Sequence, residues 1–289
     1  MDIKPHRDMV LITIHNWIGH PAALLGSLVA ILALSCGSPV SPPDFDNPID
    51  PDSPDYVEPT LSITSGPAEG AVVNDHSVSF SWSGDALMEE YRFRITGQDW
   101  SPWDDITTAT FTYLDEGDLR FTLAGRRASG EELSDSVGFF IDAITGPALR
   151  FYPRSVTVAP SGQFEVAVYA EEIDSLKGLR LVVAYDPTQL SLVTAEFDTT
   201  GFLSRSNGQI LSFKNIDNLN GRVTFDAVLY AGDTRSISGT GPLARLVFRE
   251  TTAQRGTLAL TFGDLTSLRD DQNRTITLTA KVPGRVEVQ

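Results

Sequence analysis

LKGLRLVVAYDPTQLSL, residues 176–192, decides the fold of this chain. Leu179, Leu181, Val183 and Tyr185 alternate with Gly178, Arg180, Val182 and Ala184, and Asp186-Pro187 then breaks the run. Alternation of period two over eight residues is a β-strand with one buried face, and Asp-Pro ends it in a turn. The outward set is unusual. Val182 and Ala184 are apolar where a solvated face carries polar groups, so either a second layer or a partner covers the outer side, and of the two we read a partner.

Working outward, strand-like runs recur at 149–152, 155–158, 164–170, 190–197, 209–215, 221–230, 242–249, 257–262, 275–280 and 285–288. Asn207-Gly208 and Asn220-Gly221 supply hairpin signals. About nine to eleven strands within residues 148–289 close naturally as a jelly-roll sandwich. On the 221–232 run, Val223, Phe225, Ala227 and Leu229 form the inner set, while Arg222, Thr224, Asp226, Val228 and Tyr230 face out.

The order SVTVAPSGQFEVAVYAEEIDSLKGLRLVVAYDPTQLSLV, GRVTFDAVLYAGD, GTGPLARLVFRE, GTLALTFGDLTSLRDDQNRTI and a closing GRVEV resembles the cohesin domain. That family is a nine-stranded jelly roll that receives dockerin modules in cellulosome assembly, and it shares its fold with carbohydrate-binding modules. The resemblance implies a flat sheet face for a dockerin helix. Carried over by position, Arg180, Val182, Ala184, Val228, Tyr230 and Gly232 lie on or beside that face. Arg180 and Gly232 stand where cellulosomal cohesins typically carry hydrogen-bonding polar or acidic residues.

Before a short Gly-Pro joint at 143–147, residues 59–143 hold another set of short strands, at 61–63, 78–82, 91–95, 109–113, 119–127 and 137–141. This spacing predicts a second sandwich. PTLSITSGPAEGAVV, VSFSWSGD and LDEGDLRFTLAGRRASG resemble bacterial Ig-like and fibronectin type III modules. The resemblance implies that Trp82 is the core tryptophan of an early strand, with Leu119 in place of the corner tyrosine. Trp100 and Trp103, in DWSPWDD, invite a sugar-stacking reading, but padding of the sandwich edge is the preferred one.

Residues 37–58 carry six acidic residues, no Lys or Arg, and prolines at 39, 42, 43, 48, 51 and 54. Such a segment buries too little to fold and reads as an extended stalk. Ahead of it, Lys4 and Arg7 precede an apolar run at 22–34 that is too short to span a bilayer. Leu32-Ala33-Leu34-Ser35-Cys36-Gly37 resembles the lipobox of bacterial lipoproteins, which implies a signal peptide over 1–36 and lipidation of Cys36. The expectation is an exported protein, lipid-anchored at the bacterial envelope and facing outward or the periplasm. Cys36 is the only cysteine, so no intrachain disulfide forms.

Chemistry is sparse. The net charge of -16 excludes nucleic acid and adsorption to anionic lipid. Three of four histidines precede residue 36, and His76 reads as a solvated turn residue. Nucleophilic triads and zinc sites therefore lack parts. The adjacent carboxylates Glu89-Glu90, Asp104-Asp105, Glu131-Glu132, Glu171-Glu172 and Asp270-Asp271 read mostly as solvated turns, because glycoside hydrolysis needs two carboxyls facing one cleft. Asp264, Asp270, Asp271 and Asn273 match no calcium-loop spacing, and Gly239-Thr240-Gly241 precedes a strand rather than a helix, so it cradles no phosphate. The sequence therefore implies no enzyme, no cofactor and no metal. What it implies is a binding protein for a dockerin-bearing partner, connected with polysaccharide binding or breakdown. Direct carbohydrate binding by the jelly roll and a purely structural envelope role are the alternatives.

Overall fold

The computed structural model describes residues 47, 48, 50–198, 201–206, 208–230, 236–252 and 254–289. Residues 1–36, read from sequence as a signal peptide ending at Cys36, and Gly232 lie outside the described residues. The chain divides into two compact units, Met1–Val57 and Glu58–Gln289. In the first, the backbone between 47 and 57 turns back on itself. The N–H groups of Asp50, Ser53 and Tyr56 each donate to the carbonyl three residues earlier, and Val57 N–H reaches the Pro48 carbonyl at 2.8 Å. This part of the acidic segment is thus a run of turns, not the extended ladder its prolines imply.

The unit Glu58–Gln289 is built of strands around two hydrophobic clusters. In its first sandwich, β1 (Leu61–Ser65), β3 (Val78–Gly84) and β5 (Thr108–Phe111) make one antiparallel sheet. The other has the order β2 (Ala71–Val73), β7 (Glu132–Ile141), β6 (Gly117–Arg127), β4 (Met88–Ile95). Alternate residues of both sheets meet inside: Phe80 stacks on Phe121 with centroids 4.0 Å apart, and Trp82 packs against Phe93. The alternation read from sequence locates six of these strands. β2 escapes it because three residues are too few to show a period.

The second sandwich starts at β8 (Ala148–Tyr152) and β9 (Ser155–Val158) and is organised around β10 (Gln163–Ala184). The sequence reads β10 as two strands separated by a turn at 171–175, whereas it is one strand of 22 residues. Its first half pairs with β14 (Ile237–Glu250) and β8, its second half with β13 (Arg222–Tyr230) and β16 (Ser267–Asp270). Between the halves, the register with β14 slips twice, and Glu172 and Ser175 adopt left-handed φ of 46° and 53°. These are bulges, which bend a strand and let it pass from one layer to the other. Ser238 and Thr240 of β14 hold them, their hydroxyls accepting from the N–H groups of Ser175 and Glu172.

The layers are completed by β11 (Leu190–Phe197) beside β14, and by β12 (Gln209–Asp217) at the free side of β13. β15 (Gly256–Phe262) runs beside β19 (Gly284–Val288), and the short β17 (Thr275–Ile276) and β18 (Ala280–Val282) lie beside β16 and β8. The sequence misses β16, and it reads β17 and β18 as one strand. Asn220-Gly221 does close the β12–β13 hairpin. Asn207-Gly208 joins no hairpin: Asn207 is outside the described residues, and β11 and β12 pair with different neighbours.

The joint at 143–147 is not a free hinge. Ile144 is buried, Gly146 N–H donates to Glu172 at 2.5 Å, and the Thr279 hydroxyl donates to the carbonyls of Thr145 and Pro147. Arg154 N–H donates to the Asp115 carboxylate at 2.7 Å across the same junction. Burial pushes the Asp115 carboxyl up despite that bond. His76 belongs here too and corrects the reading of a solvated turn residue. It is half-buried, with Nδ1 2.9 Å from the Leu114 carbonyl and 3.5 Å from Glu116, and burial followed by Arg154 lowers its pKa. Glu171 is a second correction. It is buried and accepts from Arg150 Nε at 2.7 Å rather than lying in a solvated turn.

Candidate functional site

The second half of β10 lies between β13 and β16, and β12 extends the sheet by one more strand. Leu179, Leu181, Val183 and Tyr185 all point into the core with Val223, Phe225 and Leu229, as their alternation requires. The pairing then places the opposite set in rows on the outer face. Leu211 lies across from Val228, and Val228 from Gly178. Phe213 lies across from Asp226, and Asp226 from Arg180. Gln209 and Tyr230 form the end row.

The outer face is apolar with one charged pair at its centre. Phe213 is 64% exposed and Tyr230 46%, and Leu211, Val228 and the neighbouring Leu265 are exposed as well. Isolated exposed apolar residues are ordinary; five gathered on one side of a sheet form the kind of patch that partners cover. At the centre Arg180 donates from Nε to Asp226 at 2.7 Å and from Nη2 at 3.3 Å, a two-pronged bond that holds both groups flat against the sheet. That bond raises the Arg180 pKa. A shallow depression of about 520 Å³ adjoins the pair, floored by Gly178 and rimmed by Lys177, Leu265 and Arg269. Arg222 is also exposed on this side, across from Asp217, so charged groups of both signs border the apolar residues.

Of the six residues assigned to the face from sequence, Arg180, Val228 and Tyr230 are exposed on it. Val182 is corrected. It is only 2% exposed, because the turn after β15 lies over it: a Cβ on Gly263 would stand 2.8 Å from its Cγ1, and the Thr266 hydroxyl accepts from its N–H. Its apolar character is answered by the chain's own turn, not by a partner. Ala184 is half-buried between Arg222 and Thr261. Gly232 is outside the described residues. Sequence reading missed Leu211, Phe213 and Leu265. The i, i+2 pair Leu211 and Phe213 was a usable signal, obscured by Ile210 beside it.

Two other candidate sites resolve into structural contacts. Asp270 accepts from the N–H groups of Gln272 and Arg274 and from Arg274 Nε at 2.7 Å. Its carboxylate is thereby committed to closing its own turn, and among the described residues no cluster of acidic, His or Cys side chains is suited to a metal ion. Trp100 and Trp103 are interleaved with arginines. Arg92 lies 4.9 Å and 4.4 Å from the two rings, Arg94 covers Trp100 at 4.7 Å, and Arg126 covers Trp103 at 4.4 Å. Tyr91 and Asp104 exchange backbone hydrogen bonds that hold the segment to β4.

With guanidinium groups over both tryptophans, the pair braces the sheet edge. Each such contact is worth about 0.5–1 kcal/mol at an exposed site. Trp103→Ala is therefore expected to cost about 1–2 kcal/mol, lowering Tm by a few degrees, and to leave retention on insoluble polysaccharide unchanged. Unchanged melting with lost retention would restore the sugar platform.

No protein-family model matches the sequence, and no curated protein matches it. Solved structures do. The sixth cohesin of Acetivibrio cellulolyticus scaffoldin B, solved with a Cel5 dockerin, is 18% identical, with 50% of this chain and 100% of that chain covered and a TM-score of 0.41. A type II cohesin domain from the cellulosome of the same organism gives 17%, 50%, 95% and 0.42. A non-cellulosomal cohesin from the archaeon Archaeoglobus fulgidus gives 20%, 50%, 90% and 0.38. Over about half of its length, then, this chain is similar to cohesins.

Proposed function

We propose that this chain is a non-enzymatic receptor whose second sandwich captures a dockerin-bearing protein on the outer face of β12, β13, β10 and β16. The supporting observation is that face itself: Leu211, Phe213, Val228, Tyr230 and Leu265 exposed around the Arg180–Asp226 pair. Exposed apolar side chains on one sheet face suit the apolar stripe of a helix, and the charged groups of both signs at its border suit a polar rim. The ordered motifs of residues 155–288 supply the identity of the partner class. The first sandwich acts as a spacer, and Cys36 as the lipid attachment that keeps the receptor at the envelope. The partner's task is polysaccharide binding or breakdown.

Phe213→Asp and Val228→Asp test this reading. Each places a charge where an apolar contact should form, and each residue is exposed, so folding should shift by less than about 0.5 kcal/mol. Binding to dockerin-bearing proteins of the same organism, followed by surface plasmon resonance, should weaken about 30-fold or more per substitution, the mark of a central contact. Capture that is absent for every such protein, or that survives both substitutions, would defeat the proposal. It would leave direct carbohydrate binding or a purely structural role.

A further inference from the structure

Away from the docking face, the two sandwiches of the Glu58–Gln289 unit enclose a cleft of about 860 Å³. The first sandwich contributes Thr96, Gln98 and Tyr113, and the second contributes Tyr152, Thr157 and Arg285. Neither sandwich makes the cleft alone. Its volume falls within the range of small-ligand sites, which favour such junctions.

Two features single it out. Tyr113 holds a left-handed backbone, φ 58°, a conformation unfavourable for a bulky L-residue and kept only where surroundings enforce it. The enforcement is visible. Arg285 lies 4.5 Å and Arg154 5.6 Å from its ring centroid, and Arg154 N–H is tied to the neighbouring Asp115. The second feature is exposure. Tyr113 and Tyr152 stay 41% and 43% exposed while lining a concave surface.

The rest of the lining selects the ligand's chemistry. Hydroxyl, amide and carboxylate side chains dominate, so an apolar ligand gains little. Asp99, Asp115, Glu116, Asp118 and Glu287 outnumber the single lining arginine, Arg285, and this acidic excess repels phosphates and uronic acids. A neutral ligand rich in hydroxyls, with flat apolar ring faces for tyrosine, satisfies both conditions. We propose that the cleft between the sandwiches binds a short neutral oligosaccharide, stacked on Tyr152, braced by Tyr113 and hydrogen-bonded from both sides. This site shares no residue with the docking face, so either can fail without the other.

Calorimetric titration of the full mature chain with xylohexaose, cellohexaose and mannohexaose tests it. At least one should bind. Tyr152→Ala should weaken that binding about tenfold or more, while Tyr152→Phe keeps most of it. Thr157→Trp, at an exposed strand position, should fill the cleft and abolish binding without lowering Tm. Phe213→Asp, on the docking face, should bind as the parent does. No binding of any of the three, or binding untouched by both Tyr152→Ala and Thr157→Trp, would overturn the assignment.

Discussion

Replacing Gly221 by alanine is expected to lower stability by about 2–5 kcal/mol, and by valine at least as much. Gly221, in the turn just before β13, has φ 59°, where an L-residue pays about 1–2 kcal/mol. The space is closed as well. A Cβ there would lie 2.0 Å from the Tyr185 carbonyl oxygen and 2.6 Å from Pro187 Cδ. Neither neighbour can retreat cheaply. Tyr185 N–H donates to the Gly221 carbonyl at 2.8 Å, and Pro187 belongs to the turn that ends β10. Forcing atoms into such a contact adds about 1–3 kcal/mol.

The effect should reach function because the β12–β13 hairpin presents Leu211, Phe213, Val228 and Tyr230. Thermal unfolding should show Tm lowered by about 5–15 °C for Gly221→Ala, with partner capture falling in parallel. Leu219→Ser, in the same turn and 92% exposed, should stay within about 0.5 kcal/mol of the parent. A Gly221→Ala protein that melts like its parent would show that the hairpin is not clamped to the end of β10.

The contrast between Leu181 and Val182 shows what can be read along the chain. Leu181 is buried because a strand with one wet face must bury alternate residues, and that rule needs only its neighbours. Val182 is buried by Gly263 and Thr266, some eighty positions later, and no local period encodes that cover. Glu171 was misread for the same reason: its arginine sits 21 residues earlier. The continuity of β10 was hidden by Glu171, Glu172, Asp174 and Ser175, whose polarity looks like a turn although two of them sit in bulges. The site was half legible. The strand that carries Arg180 and the hairpin that carries Val228 and Tyr230 were evident from alternation. That β12 adds Leu211 and Phe213 to the same face depends on pairing register.

Glu171→Gln is expected to cost about 3–5 kcal/mol. Arg150 and Glu171 are both nearly inaccessible. Arg150 Nε donates to Glu171 Oε2 at 2.7 Å, the Thr240 hydroxyl donates to Oε1 at 2.7 Å, and the guanidinium lies 4.7 Å from the Tyr169 ring centroid. Taking both charges out of water consumes most of what their attraction returns, so the intact pair adds little net stability. Removing one partner strands the other in a dry site, and that is the large effect. The prediction is therefore asymmetric. Arg150→Met and Glu171→Gln should each unfold at markedly lower denaturant with unchanged m-value, whereas Arg150→Met combined with Glu171→Leu should recover much of the loss. Recovery follows because an apolar pair of similar volume needs no compensation. The location gives the pair its consequence for binding: Glu171 adjoins the bulge at which β10 passes between layers, so a loosened bulge displaces the half-strand bearing Arg180. Single variants within about 1 kcal/mol of the parent, or a double variant no better than the sum of the singles, would mean that the pair reaches water and that the bulge is held by Ser238 and Thr240 alone.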